Sequence, residues 1–284
     1  MDLKIFLNRL HARYLKLSGA KKTIIFILVF TLGFVLGSAF RSNKDTIESK
    51  SNAFQENKGK NSLAEKNHGN SESKEETEKG PVEREVIVVI DSGHGGEDFG
   101  TYYGNILEKD LNLDISLRMG SIVEEAGIKV VYTRTEDKDV GLEERAFMAN
   151  DLDATLFISV HNNSMPDNPN YKGTETLYCP SQNPVYDNMD GKKLAAIVQR
   201  NLVSTLSTID NGIIERPNLV VLRKTKMPAV IAEIAYLSNA QDRELLKQEE
   251  FRQKAAHALA DSVFEALEVM GAEKDEEGVW KIKK

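Results

Sequence analysis

The sequence has a single cysteine, Cys179, so no disulfide can form within the chain. Any stability in an oxidising compartment must then come from core packing. It has no surplus of basic residues: 37 Lys and Arg stand against 44 Asp and Glu, for a net charge of -7. That argues against a nucleic-acid binder, since those carry basic stripes, and no nucleic-acid partner is expected. There is no Cys cluster and no HExxH, so two short zinc signatures are missing. No internal repeat is visible. Long apolar runs are absent too, with one exception.

That exception is residues 23–40, "TIIFILVFTLGFVLGSAF", which carry no charge. Lys4, Arg9, Arg13, Lys16, Lys21 and Lys22 precede them, against a lone acid, Asp2. A run of about 18 residues is just long enough to cross hydrocarbon as a helix. The basic segment 1–22 is expected in the cytoplasm and everything after Phe40 outside it. A single transmembrane anchor in the cell membrane is therefore expected; the alternative is a secretion signal cleaved near Ala39, since Gly37 and Ala39 are small residues at cleavage-site spacing. Residues 41–84 are rich in Ser, Asn, Lys and Glu and read as a disordered linker. A coil of that length spans roughly 35–40 Å on average.

From Glu85 the texture becomes globular. "EVIVVID" (85–91), "IKVVYT" (128–133), "ATLFISVH" (154–161), "GTETLY" (173–178), "LVVLR" (219–223) and "AVIAEI" (229–234) read as strands. Residues 108–127 place Leu111, Ile115, Met119, Ile122 and Ala126 at helical spacing before Gly127. Further helices are expected over 141–151, 192–207 and 240–270. The alternation predicts a three-layer α/β domain over 85–270 with a central, mostly parallel sheet, followed by a charged tail (271–284) that frays.

The stretch "REVIVVIDSGHGGEDFG" (84–100) runs from five consecutive aliphatic residues into glycines around His94. Catalytic groups in such sheets gather beyond the carboxyl ends of the strands. Here the first strand runs into His94, the third into His161 and the last into Glu233. Of five histidines, His11 and His68 lie before the domain and His257 sits in a long helix. His94 and His161 remain, and two imidazoles with one carboxylate are a catalytic zinc set. Glu108, opening the first helix, is the best carboxylate, although a first-turn acid can simply answer the helix dipole. Glu97 and Asp98 are set aside as loop residues. Arg134 and Arg145 read as packing or salt-bridge residues. Asn163 is a candidate for substrate contact or a strand-end cap, and Arg216 for recognising a peptide carboxylate or an oxyanion.

"IDSGHGG", "LEKDLNL", "LEERAFMAN", "FISVHNNS", "GTETLY" and "VLRKTKMPAVIAEIAYLSN" occur in an order that resembles the zinc-dependent N-acetylmuramoyl-L-alanine amidases, across residues 85–270. The resemblance implies His94, Glu108 and His161 as ligands of zinc (Zn2+) and Glu233 as the catalytic glutamate. It implies peptidoglycan as substrate and cleavage between N-acetylmuramic acid and L-alanine. Zinc lowers the pKa of water toward about 7, and Glu233 would move the proton. Asp91 is expected to orient a ligand imidazole. Ser92 departs from the family's usual proline or alanine, and no long insertion follows His161, where some relatives carry an autoinhibitory helix. A protein activator is a further expectation. The competing functions are a zinc carboxypeptidase or deacetylase, or a wall-binding module with a degenerate site.

Overall fold

The computed structural model describes residues 83–180 and 185–283. The expected cytoplasmic segment, the apolar run 23–40 and nearly all of the linker lie outside the described residues. Among the described residues no helix is long and apolar enough to cross a membrane.

The chain order is β1 (Glu83–Glu85), β2 (Ile87–Ser92), β3 (Tyr102–Tyr103), β4 (Ile106–Leu107), α1 (Glu108–Glu125), β5 (Lys129–Tyr132), α2 (Leu142–Asp151), β6 (Leu156–Asn163), β7 (Thr174–Tyr178), α3 (Gly191–Leu206), β8 (Asp210–Glu215), α4 (Val220–Lys224), β9 (Ala229–Tyr236), α5 (Ala240–Lys247), α6 (Glu249–Met270), β10 (Glu273–Lys274) and β11 (Trp280–Lys283). Six strands form the central sheet in the order β5-β2-β6-β9-β7-β8. The first four run parallel, whereas β7 is antiparallel to β9 and β8 follows β7. The expected α/β class with a mostly parallel sheet is therefore found, with a reversed pair of strands at one edge.

Residue parity separates the two cores. Val88, Ile90, Ile158, Val230 and Ala232 face α1, α3 and α6, where Ile115, Met119, Leu194, Leu202, Leu259 and Val263 are fully buried. Ile87, Val89, Phe157, Leu177, Ala229 and Ile231 face the other way, against Ala149 of α2 and Val221 and Leu222 of α4. Both faces of β2 are covered, which is why its sequence is continuously apolar rather than alternating. Towards the carboxyl ends of β2, β6 and β9, the second face changes from aliphatic to polar: Asp91, Ser159, His161 and Glu233 continue the parity of the residues packed by α2 and α4.

Two expectations need correction, and one strand had not been expected. Residues 219–223 form no strand: Arg223 N–H bonds Leu219 O at 2.9 Å, and Val220–Lys224 is a short helix. An apolar run that short does not distinguish the two states, and burial of Val221 and Leu222 under the sheet decides it. Strand β8 (DNGIIE) carries too little apolar character to be read as one. The carboxyl-terminal segment does not fray: β11 pairs with β1 and β10, Ile282 is buried, and Trp280 Nε1 donates to Ala126 O at 3.0 Å.

Candidate active site

The site grows from the turn after β2. His94 adopts φ 60°, a left-handed conformation uncommon outside glycine. Two buried guanidinium groups hold the turn there. Arg134 donates to Ser92 O (3.0 Å) and Gly93 O (2.9 Å). Arg145 donates to Ser92 O (2.7 Å) and His94 O (2.9 Å). Both arginines are thus structural, as their packing reading expected, and they bind the carbonyls that a strained turn turns away from any ladder.

The glycines leave room for the functional side chains. A Cβ on Gly93 would lie 2.2 Å from ring atoms of His161, and one on Gly100 would lie 2.4 Å from Glu108 Oε2 and 2.7 Å from His94 Cδ2. This is what the glycine loop at the mouth of the strand accomplishes. It lets two imidazoles and a carboxylate converge in contact with the backbone.

His94, Glu108 and His161 offer ligand atoms that all lie within 4.8 Å of one another. Glu108 Oε1 is 3.2 Å from His94 Nε2 and 3.1 Å from His161 Nδ1. The same carboxylate accepts from Asn162 N and Asn112 Nδ2 (both 3.2 Å) and, through Oε2, from Thr101 N at 2.8 Å. Asn112 stands one helical turn beyond Glu108, on the same face, and Asn162 Nδ2 donates to its Oδ1 at 2.9 Å. His94 Nδ1 lies 2.8 Å from Asp98 Oδ2, which leaves Nε2 facing the cluster. Nitrogen, nitrogen and oxygen donors converging in this way, with their orientation set by outer partners, fit a catalytic divalent metal.

Charge follows geometry. Burial alone would lower His94, but the hydrogen bond and charge of Glu108, joined by Asp98, raise it to about 9. Burial would raise Glu108, yet the bonds from His161 and His94 hold it far below the usual carboxylate range. Glu108 is therefore anionic at any working pH, and a metal entering the cluster would displace protons from the imidazoles.

Glu233 is paired in register with His161 on β6 and, on its other side, with Glu175 on β7. It is 9% exposed, and its Oε2 is buried with no hydrogen-bond partner among the described residues. Burial pushes it up to about 7, against the charge of His161 and with that of Glu108 and Glu175. A carboxyl group in that state can both take and release a proton near neutrality.

Other expected residues land elsewhere. Asp91 does not reach an imidazole. Its oxygens accept from Thr133 Oγ1 (2.7 Å), Arg145 (2.7 Å) and Ser159 Oγ (2.6 Å), so it steadies the turn through Arg145. The imidazole partner is Asp98, a loop residue whose role depends on the 95–98 backbone curling back through a Gly95–Asp98 bridge. Arg216 is exposed at the wrong end of the sheet. Because β7 reverses, the end of β8 pairs near Tyr178, level with Val230 rather than Glu233. Asn163 is at the site but engaged: Nδ2 donates to Glu175 Oε1 at 2.7 Å and to Tyr236 Oη at 3.3 Å. Glu175 went unmarked in the sequence, and its one signal was a charge inside the strand "TETLY".

A family model described as N-acetylmuramoyl-L-alanine amidase matches residues 88–265. The chain belongs to the N-acetylmuramoyl-L-alanine amidase family. The amidase is 37% identical over 183 residues to N-acetylmuramoyl-L-alanine amidase LytC of Bacillus subtilis, covering 64% of this chain but only 36% of LytC. Among solved structures it is similar to the catalytic domain of the amidase CwlV from Bacillus (Paenibacillus) polymyxa, with TM-score 0.60 and 35% identity over 65% of this chain and 99% of that one. It is also similar to the CwlD amidase of Clostridioides difficile, solved in complex with the GerS lipoprotein, with TM-score 0.57 and 27% identity over 65% of this chain and 99% of that one. The amidase accordingly hydrolyses the amide between N-acetylmuramic acid and L-alanine in peptidoglycan.

Proposed function

We propose that the amidase is zinc-dependent, with His94, Glu108 and His161 as the ligands and Glu233 as the proton carrier, and that it works from the outer face of the cell membrane. The observation that carries the reading is the convergence of those three donors within 4.8 Å beside a buried carboxyl oxygen that no donor serves among the described residues. Bound zinc would acidify water and polarise the scissile carbonyl. The remaining work belongs to side chains. Asp98 accepts from His94 Nδ1 and keeps Nε2 available for the metal. Thr101, Asn112 and Asn162 hold the Glu108 carboxylate in place. Glu233 takes a proton from the attacking water and returns it to the leaving nitrogen.

The membrane part of the proposal rests on the uncharged run 23–40 and the basic residues before it. A protein partner that activates the enzyme belongs to the same proposal; that CwlD was solved in complex with the GerS lipoprotein supports a partner of some kind. A carboxypeptidase or deacetylase could use the same donors, but the family match favours the amidase. Mass spectrometry of digested peptidoglycan tests the reading. The amidase frees stem peptides with a new L-alanine amino terminus, and Glu233→Gln abolishes their release while zinc stays bound. Release of single amino acids or acetate, or full turnover by Glu233→Gln, would overturn it.

A further inference from the structure

Glu175 is a buried carboxylate, 4% exposed, that the mechanism above leaves without a task. It stands directly opposite Glu233 in the antiparallel β7·β9 ladder. Residues so paired share a sheet face, with Cβ atoms about 4.5–5.5 Å apart. His161, Glu233 and Glu175 therefore form one row across β6, β9 and β7. A carboxylate inside a strand is costly unless it is satisfied. Asn163 Nδ2 donates to Oε1 at 2.7 Å, and the same amide donates to the Tyr236 hydroxyl at 3.3 Å, which sets Tyr236 beside the carboxylate. This leaves part of its acceptor capacity unused, since an ionised carboxylate offers about four lone-pair sites.

We propose that Glu175 is a catalytic residue that accepts a hydrogen bond from the leaving nitrogen of the scissile amide, with Asn163 and Tyr236 holding it in position. The inference rests on Glu233 being the proton carrier. A substrate carbonyl at the His94–Glu108–His161 cluster, with its nitrogen over Glu233, directs that nitrogen's own N–H along the row towards Glu175. As the C–N bond breaks, its electron pair goes to nitrogen and the water's oxygen stays on the lactyl carbon. The nitrogen keeps its original proton, bonded to Glu175, and takes a second from Glu233. Holding the N–H aims the developing lone pair at Glu233. It also gives the new amine an anionic neighbour.

An oxygen-for-nitrogen substitution tests this, because an ester leaving group has no N–H to donate. Full-length wild type, Glu175→Gln and Glu233→Gln are compared on a muramyl peptide and on the analogue with L-lactate in place of L-alanine. Zinc content is measured on each. Replacing the charged acceptor by the neutral amide oxygen of Gln weakens that bond, so Glu175→Gln lowers kcat/KM on the amide by roughly 5- to 10-fold, while the ester falls by less than about 2-fold with zinc retained. Asn163→Ala shifts the amide in the same direction. An equal loss on both substrates, or no loss on either, overturns the assignment of Glu175. Glu233→Gln reports separately: full activity there removes the proton-carrier reading, whatever the amide-to-ester ratio of Glu175→Gln.

Discussion

Replacing Gly100 by Ala tests the idea that the glycine loop exists to admit metal ligands. The new Cβ would sit 2.4 Å from Glu108 Oε2, where ordinary contact begins near 3.4 Å, so the carboxylate must retreat by about 1 Å. Metal–ligand distances tolerate only about 0.2 Å. Disturbing partners that merely orient ligands already costs about 10–100-fold in affinity, and a misplacement of about 1 Å at a reacting centre can cost about 100-fold in rate. The φ of +65° adds about 1–2 kcal/mol of backbone strain. Gly104 supplies the control, because it has φ +61° but nothing within 4 Å of its Cβ. Zinc affinity is measured by chelator competition and stability by denaturant unfolding, on both variants. Both should lose stability to backbone strain, Gly100→Ala by about 1–3 kcal/mol more because of the clash, but only Gly100→Ala should lose zinc affinity, by at least about 10-fold, and kcat/KM, by about 100-fold. Equal zinc affinity in the two variants would refute the steric argument.

Asp98→Ala should weaken zinc binding by about 10–100-fold while leaving unfolding nearly unchanged, since it frees His94 Nδ1 at an exposed edge; unaltered affinity would return Asp98 to an ordinary loop residue. Asp91→Asn should destabilise the domain by about 3–5 kcal/mol, because it strands the buried Arg145, and chemical denaturation would report it. The same pair predicts acid sensitivity. Burial alone would raise Asp91, but Arg145, Ser159 and Thr133 hold it below the ordinary aspartate value. Its contribution is thus complete above the unfolded value of about 3.9 and lost as pH falls through the lower folded value, so the wild-type advantage over Asp91→Asn should shrink in acid. Arg216→Ala should leave kcat/KM on peptidoglycan within about 2-fold, as expected of an exposed substitution away from the site; a large loss would contradict its location at the far end of the sheet.

The elements that were legible in the sequence are those where local pattern and global position agree. Strands β2, β6 and β9 announce themselves by short, mostly apolar runs, and parallel strands bring their carboxyl ends to one edge. Seeing that His94, His161 and Glu233 each follow such a run was therefore enough to predict their convergence. The reversal of β7 has no local signature. It carried Arg216 away from the site and brought Glu175 into register with Glu233. Asp98, set aside as a loop residue, and Asn112, unmarked, were missed for a different reason: each acts through a single hydrogen bond to a ligand, and such bonds depend on loop and helix geometry rather than on residue type. The closing β10–β11 hairpin was hidden by its charge, since only Ile282 and Trp280 of β11 face inward.

Anomalous diffraction at the zinc edge from crystals of the zinc-loaded protein tests the central claim most directly. The account predicts one zinc bound by His94 Nε2, His161 Nδ1 and the Glu108 carboxylate at about 2.0–2.2 Å, with Glu233 beside the metal but outside its ligand set. A zinc ion elsewhere in the domain, or one held without any of those three side chains, would contradict it.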